Sequence, residues 1–218
     1  MMVKRSYNAP RREEQARETR AAMIQAAHRL FVEHGYAATS IRQIADEARV
    51  GEQTVYRVFD NKAALLREVL LATVSGGTPA SVAREMGDFM ASVGAEQTPS
   101  ERIRVVAAWS ASVYQRGAAD LEEVVFAGAA ADPRVEDLAH YMKEQRYGDI
   151  RALVPAVAGD AGPPRGMTFD DIADYIYAVW SSPVYRMLVT DRGWSLEKYI
   201  DWCVLMVERM FLDHLHDR

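Results

Sequence analysis

Apolar residues along this chain recur at spacings of three and four and do not alternate, which predicts helices throughout and no strands. Ile24, Ala27, Leu30 and Phe31 mark one face of a helix expected from about Glu13 to His34, with Gly35 as its stop. Ile41, Ile44, Ala45 and Ala48 form a second, narrow face, and Ser40 with Gln43 makes a capping box that starts it. After Arg49-Val50-Gly51 a third set, Val55 and Phe59, begins in a new phase. So short a break requires a sharp turn between two short helices. Asn61 then caps a fourth helix carrying Leu65, Leu66, Val69 and Leu70, which ends at Gly76-Gly77-Thr78-Pro79.

Past that break the same grammar repeats. Val82, Met86, Phe89, Met90 and Val93 lead to Gly94; Thr98-Pro99-Ser100-Glu101 is a capping box with proline at the first helical position, opening a helix that Gly117 ends. Leu121, Val124, Val125 and Phe126 make a shorter helix breaking near Gly128, and Asp132-Pro133 opens another through Val135, Leu138, Ala139 and Met142. Residues 155–166 read as a linker. Thr168 and Asp171 start a helix in which Pro183 is expected to produce a kink and Gly193 a stop. Ser195 caps the last helix, with Trp194 and Tyr199 placed to staple it. From Tyr199 to Leu215 that helix is apolar on more than one face. A surface helix needs one stripe, so the last two helices are expected to bury a face against a second subunit. The fold class is all-α.

The 218 residues, 49% of them hydrophobic, provide for one small and one medium domain. Net charge is −5, unevenly placed: residues 1–62 carry +3 and the remainder −8. A basic head on an acidic body confines attraction for polyanions to one end. The single cysteine, Cys203, excludes an internal disulfide and a cysteine-based zinc site, and its apolar neighbours predict an inert buried thiol. No stretch has the length or apolarity of a signal peptide or a membrane span, so a cytoplasmic location is expected. Residues 1–12, basic and without period, read as a disordered arm.

The outward set of the turn unit is polar and planar: Glu52, Gln53, Thr54 and Arg57, flanked by Tyr56 and Lys62. Arg57 has the fork that matches guanine O6 and N7, and Gln53 can do the same for adenine N6 and N7. Thr39, Tyr56 and Lys62 suit phosphate contacts, and Ser40, Arg42 and Gln43 at the start of the preceding helix are assigned to the same DNA-facing surface. The plain alternative is an amphipathic helix pair with a solvated polar face.

The stretch from Ile24 to Leu66 resembles the DNA-binding domain of the tetracycline-repressor (TetR) family. In that family F-x-x-x-G-Y is followed by T-S-I-x-x-I-A, a turn, and T-V-Y-x-x-F-x-N-K-x-x-L. Here those positions are Phe31, Gly35, Tyr36, Thr39, Ser40, Ile41, Ile44, Ala45, Thr54, Val55, Tyr56, Phe59, Asn61, Lys62 and Leu65. The resemblance implies that Thr39, Thr54, Tyr56 and Lys62 grip phosphates. Two positions depart from it, since the family has glycine where Arg49 stands and serine where Gly51 stands. A non-glycine residue in a left-handed turn costs about 1 kcal/mol, and glycine is a weaker cap than serine.

The resemblance further implies a helix-turn-helix domain over residues 13–62 and a helical ligand-binding and dimerisation domain over 63–218. The expected homodimer forms through the last long helices and reads a palindromic double-stranded operator, two heads being needed for two half-sites. Met86, Phe89, Met90, Trp109, Tyr114, Phe126, Tyr177 and Trp180 are the candidate walls of a pocket for a small apolar or aromatic effector. No cofactor or metal is expected, and no nucleophile triad, zinc-protease motif or phosphate loop argues for an enzyme. The expected function is a ligand-responsive repressor. A protein of the same fold that binds ligands without binding DNA stays open.

Overall fold

The computed structural model describes residues 9–75, 88–94, 98–159, 162–164 and 166–212, all-helical with intervening turns and without strands among these residues. Helix α1 (Ala9–Ala38) is interrupted at Gly35, whose φ of 78° and ψ of 169° leave helical space. The helix thus ends where the glycine predicts, but begins earlier, because Ala9 to Arg12 continue its first turns and are not a loose arm. Next come α2 (Ile41–Glu47), α3 (Glu52–Phe59) and α4 (Lys62–Ser75). The capping residues act as the sequence predicts. Ser40 accepts the Gln43 amide at 3.2 Å while Gln43 Oε1 accepts the Ser40 amide at 2.8 Å, and Asn61 accepts the Ala64 amide at 2.9 Å.

A short helix, α5 (residues 88–94), precedes α6 (Pro99–Val113), which opens with the Thr98–Glu101 capping box. A wider turn over Tyr114–Ala118, with Gly117 at φ 102°, passes into α7 (Ala119–Gly128). Helix α8 (Pro133–Ala158) runs through Pro155 and ends at Gly159. The stretch expected as a linker from 155 therefore begins as the last turn of a helix. Helix α9 (Phe169–Val179) also stops sooner than the periodicity suggests. Pro183 does not kink it, but stands in the first turn of a separate helix, α10 (Ser182–Tyr185), the position where a missing amide donor costs nothing. A widened turn over Arg186–Asp191 leads to Gly193 and to α11 (Leu196–Leu212). Trp194 packs edge-on against Trp202 at 6.4 Å, and Tyr199 is buried.

Two cores hold these helices. The first joins Met23, Phe31, Ile44, Val55 and Leu66 of α1–α4 to Leu121 and Val125 of α7 and Val135 and Leu138 of α8. The head is thus packed directly onto the body. The second gathers α5, α6, α9 and α11 around Ile103, Ile172, Tyr199 and Val207. Cys203 lies inside it, and burial pushes its thiol up to about 12, so it stays protonated and unreactive.

Candidate nucleic-acid interface and adjoining cavity

Helix α3 follows α2 after a turn in which Arg49 takes the left-handed conformation, φ 56°. Gly51 then caps α3 through its backbone alone. Both departures from the resembled pattern are therefore accommodated with the turn intact. Val55 and Phe59 face the core, which fixes the rotation of α3 and turns Glu52, Gln53, Tyr56 and Arg57 outward, with Thr54 half-buried beside them. Tyr56 is 49% exposed, an unusual position for a large ring with no partner surface. Ser40, Arg42 and Gln43 are exposed on α2. The guanidinium of Arg20 sits 5.1 Å from the Phe59 ring and bonds Glu68 at 2.6 Å, tying α1 to α3 and α4.

Thr39 and Lys62 have a different first task from the one the sequence suggests. Thr39 is 1% exposed, and its hydroxyl lies 2.8 Å from the Gly35 carbonyl and 3.1 Å from that of Leu30, so it closes the end of α1. The Lys62 ammonium donates to the carbonyls of Tyr36 and Thr39, both at 2.8 Å, and lies 4.1 Å from the centre of the Tyr36 ring. Partial burial holds its pKa below the ordinary lysine value. These carbonyls sit where α1 ends and α2 is about to begin, so Lys62 braces the approach to the turn unit. Tyr36 in turn donates its phenol to Asp132, the N-cap of α8, at 2.6 Å. Sequence spacing had no means of joining residues 96 positions apart.

Of the eight candidate pocket residues, Met86 lies outside the described residues. Phe89 and Trp109 stack on each other at 4.7 Å; Tyr114 and Trp180 are core residues, the former donating to the Trp180 carbonyl at 3.0 Å; and Met90 is exposed. Of the seven that are described, Phe126 and Tyr177 line a cavity of about 300 Å³ between α7, α8 and the α9–α10 junction. Its polar lining is Glu122, Lys143, Arg146, Ser181 and Ser182, none of which apolar periodicity singles out because none is apolar. Glu122 is partly buried and accepts a hydrogen bond from Ser182, and desolvation raises its pKa. Arg146 uses one nitrogen to donate to the carbonyls of Tyr177 and Trp180, at 3.0 and 2.9 Å, closing the C-terminus of α9. Among the described residues no helix is long and apolar enough to cross a membrane, and no cluster of metal-binding side chains occurs.

Residues 23–69 match the family model described as bacterial regulatory proteins, tetR family. The HTH-type transcriptional regulator TtgR of Pseudomonas putida is 43% identical over 60 residues, covering 28% of this chain and 29% of that protein. A probable acrEF/envCD operon repressor of Escherichia coli is 31% identical over 96 residues, covering 44% of this chain and 40% of its own length. The chain thus matches these curated relatives over less than half of their length. Whole-chain likeness comes from folds. A putative transcriptional regulator of Pseudomonas aeruginosa superposes with a TM-score of 0.68 at 15% identity, over 91% of this chain and 93% of that one. NalD of the same organism, the secondary repressor of the MexAB-OprM multidrug efflux pump, gives 0.66 at 19% identity over 88% and 96%.

Proposed function

This chain belongs to the tetR family of bacterial regulatory proteins through residues 23–69, and from that premise we propose that it is a sequence-specific DNA-binding transcriptional regulator, a repressor whose operator affinity is changed by a small molecule. The observation that carries this reading is the surface of α3. Glu52, Gln53, Tyr56 and Arg57 stand exposed on a helix whose other side is locked by Val55 and Phe59. Arg57 and Gln53 are the base readers, one for guanine and one for adenine. Tyr56, Thr54, Ser40 and the remaining N–H of Lys62 contact phosphate, with Arg42 and Gln43 at the margin of the same surface. Thr39 acts through its buried hydroxyl by shaping that margin.

A single short recognition helix covers one half-site, so the active species is a homodimer on a palindrome. Support for it comes from the far end of the chain, where Met187, 52% exposed, and Leu205, 42% exposed, leave apolar surface on the segment after α10 and on α11. The effector enters the cavity beside Phe126 and Tyr177, on the helices that also carry the contact with the head.

The test is selection of bound sequences from a random duplex pool by the purified protein. Enrichment of a site with two inverted half-sites is the result expected. No enrichment at low salt, from protein shown to be folded, overturns the reading and leaves a ligand-binding protein of this fold.

A further inference from the structure

The cavity between α7, α8 and α9–α10 contains three charged side chains, and their surroundings differ. Arg146 is held in place: it donates to the two carbonyls that end α9, where a helix dipole favours a cation, and its guanidinium lies 4.6 Å from the Tyr177 ring, so it keeps its charge but is not free to move onto Glu122. Lys143 is exposed at the rim, its ammonium 5.0 Å from the Phe126 ring and reachable by water. Glu122 is the one anionic group of the lining, partly buried. It accepts from Ser182 and makes no ion pair with any described residue. Arg146 favours its charge only from a distance, and burial works against that charge. A partly buried carboxylate with one neutral hydrogen-bond donor and no direct ion pair is incompletely compensated, and a cation placed beside it would add a charge-paired contact.

The walls suit such a cation. Phe126 and Tyr177 already hold a lysine and an arginine over their faces, so both rings are oriented to attract positive charge. Met142, Ala178 and Pro183 supply the apolar remainder, and about 300 Å³ accommodates a small aromatic or branched body. Deepening the effector reading given above, on which this rests, we propose that the cavity binds a small organic cation, a protonated amine with an apolar or aromatic body, whose nitrogen pairs with Glu122. The ligand displaces the Lys143 ammonium from Phe126 into solvent and leaves Arg146 in place.

The test is isothermal titration of the full chain, without DNA, at pH 7 with three matched probes: 4-phenylbutylamine, 4-phenylbutanol and 4-phenylbutyrate. The amine should bind at least about tenfold more tightly than the alcohol, as a charged pair gains over a neutral one, with the carboxylate weakest. In Glu122→Gln the amine should fall to the level of the alcohol, while the thermal midpoint at pH 7 stays at or above that of the parent. Lys143→Met, which uncovers Phe126, should bind the amine a few-fold more tightly. Equal binding of amine and alcohol, preference for the carboxylate, or no binding of any probe at millimolar concentration overturns the proposal in the unmodified protein, whatever the variants do. DNA selection is read separately. Amine preference without operator enrichment removes the regulator and keeps the cation site, whereas enrichment without amine preference removes only the site.

Discussion

The Tyr36 phenol donates to the Asp132 carboxylate at 2.6 Å, joining the segment that leads into α2 to the first residue of α8. Directly beneath, Gly128 at the end of α7 lies so close that a Cβ there would sit 2.9 Å from the Cβ of Tyr36. Glycine is required for that approach. Because Lys62 bonds the Tyr36 and Thr39 carbonyls, one tyrosine touches α4, α7 and α8 together. The two body helices also line the cavity, so a ligand that bound there and shifted them would act on Tyr36 through packed contacts, the physical link that coupling between two sites requires.

Removal of this bond has a defined cost. Tyr36→Phe deletes a hydrogen bond to an ionised acceptor, and unfolding by denaturant should show a loss of about 1.5 kcal/mol. Asp132→Asn should cost a similar amount, and the double variant less than the sum, since both remove one interaction. Additive losses would mean that the two residues stabilise the fold independently.

Asp132 also predicts a pH dependence. The bond from Tyr36, then the Arg134 amide, hold its carboxyl below the usual carboxylate range. A depressed folded value means that its stabilisation is present above the unfolded aspartate value of about 3.9 and is lost as pH falls through the lower folded value. Stability measured from pH 6 to pH 2.5 should therefore fall less steeply in Asp132→Asn than in the parent. Parallel curves would remove Asp132 from the acid transition.

Lys62 and Arg57 should separate cleanly. Lys62→Ala leaves two carbonyls without their donor and should lower stability by about 1–3 kcal/mol as well as weaken DNA binding. Arg57→Ala, on an exposed position of α3, should leave the thermal midpoint within about 1 °C while relaxing preference at one base pair by about 1–3 kcal/mol. Competition binding with single-base operator variants checks the second claim. Unaltered selectivity would take Arg57 off the base-reading surface.

Two backbone positions offer stabilisation. Asp60 ends α3 at φ 57° and ψ −50°, a conformation that suits glycine, and its side chain is exposed. Asp60→Gly should gain up to about 1 kcal/mol after the added freedom of the unfolded chain is counted. Gly51→Ser places a side-chain acceptor at the N-cap of α3, where a Cβ meets nothing within 4 Å, and should add a few tenths of a kcal/mol. Differential scanning calorimetry measures both, and a lowered midpoint in either would show that the turn geometry is held by other contacts.

The sequence by itself determined most of the helices and the starts that carry a cap, because caps and three-four periodicity are local, whereas the early start of α1 and the separation of α10 from α9 were not legible in it. Ser40 with Gln43, Thr98 with Glu101 and Thr168 with Asp171 each bond within four residues of chain, and the structure contains all three boxes. The phase of Val55 and Phe59 likewise decided which face of α3 points outward. Tertiary structure alone decided what the polar side chains bind. Thr39 and Lys62 turn inward because α1 and α4 meet there, leaving carbonyls that need donors. Glu122, Lys143 and Arg146 belong to one cavity because three helices converge on it, and most of the aromatic residues that composition nominated for a pocket instead fill the core around Tyr114 and Trp180. Local rules act through bonds a few residues long, whereas a cavity is made by surfaces far apart in the chain, whose identity depends on how the helices pack.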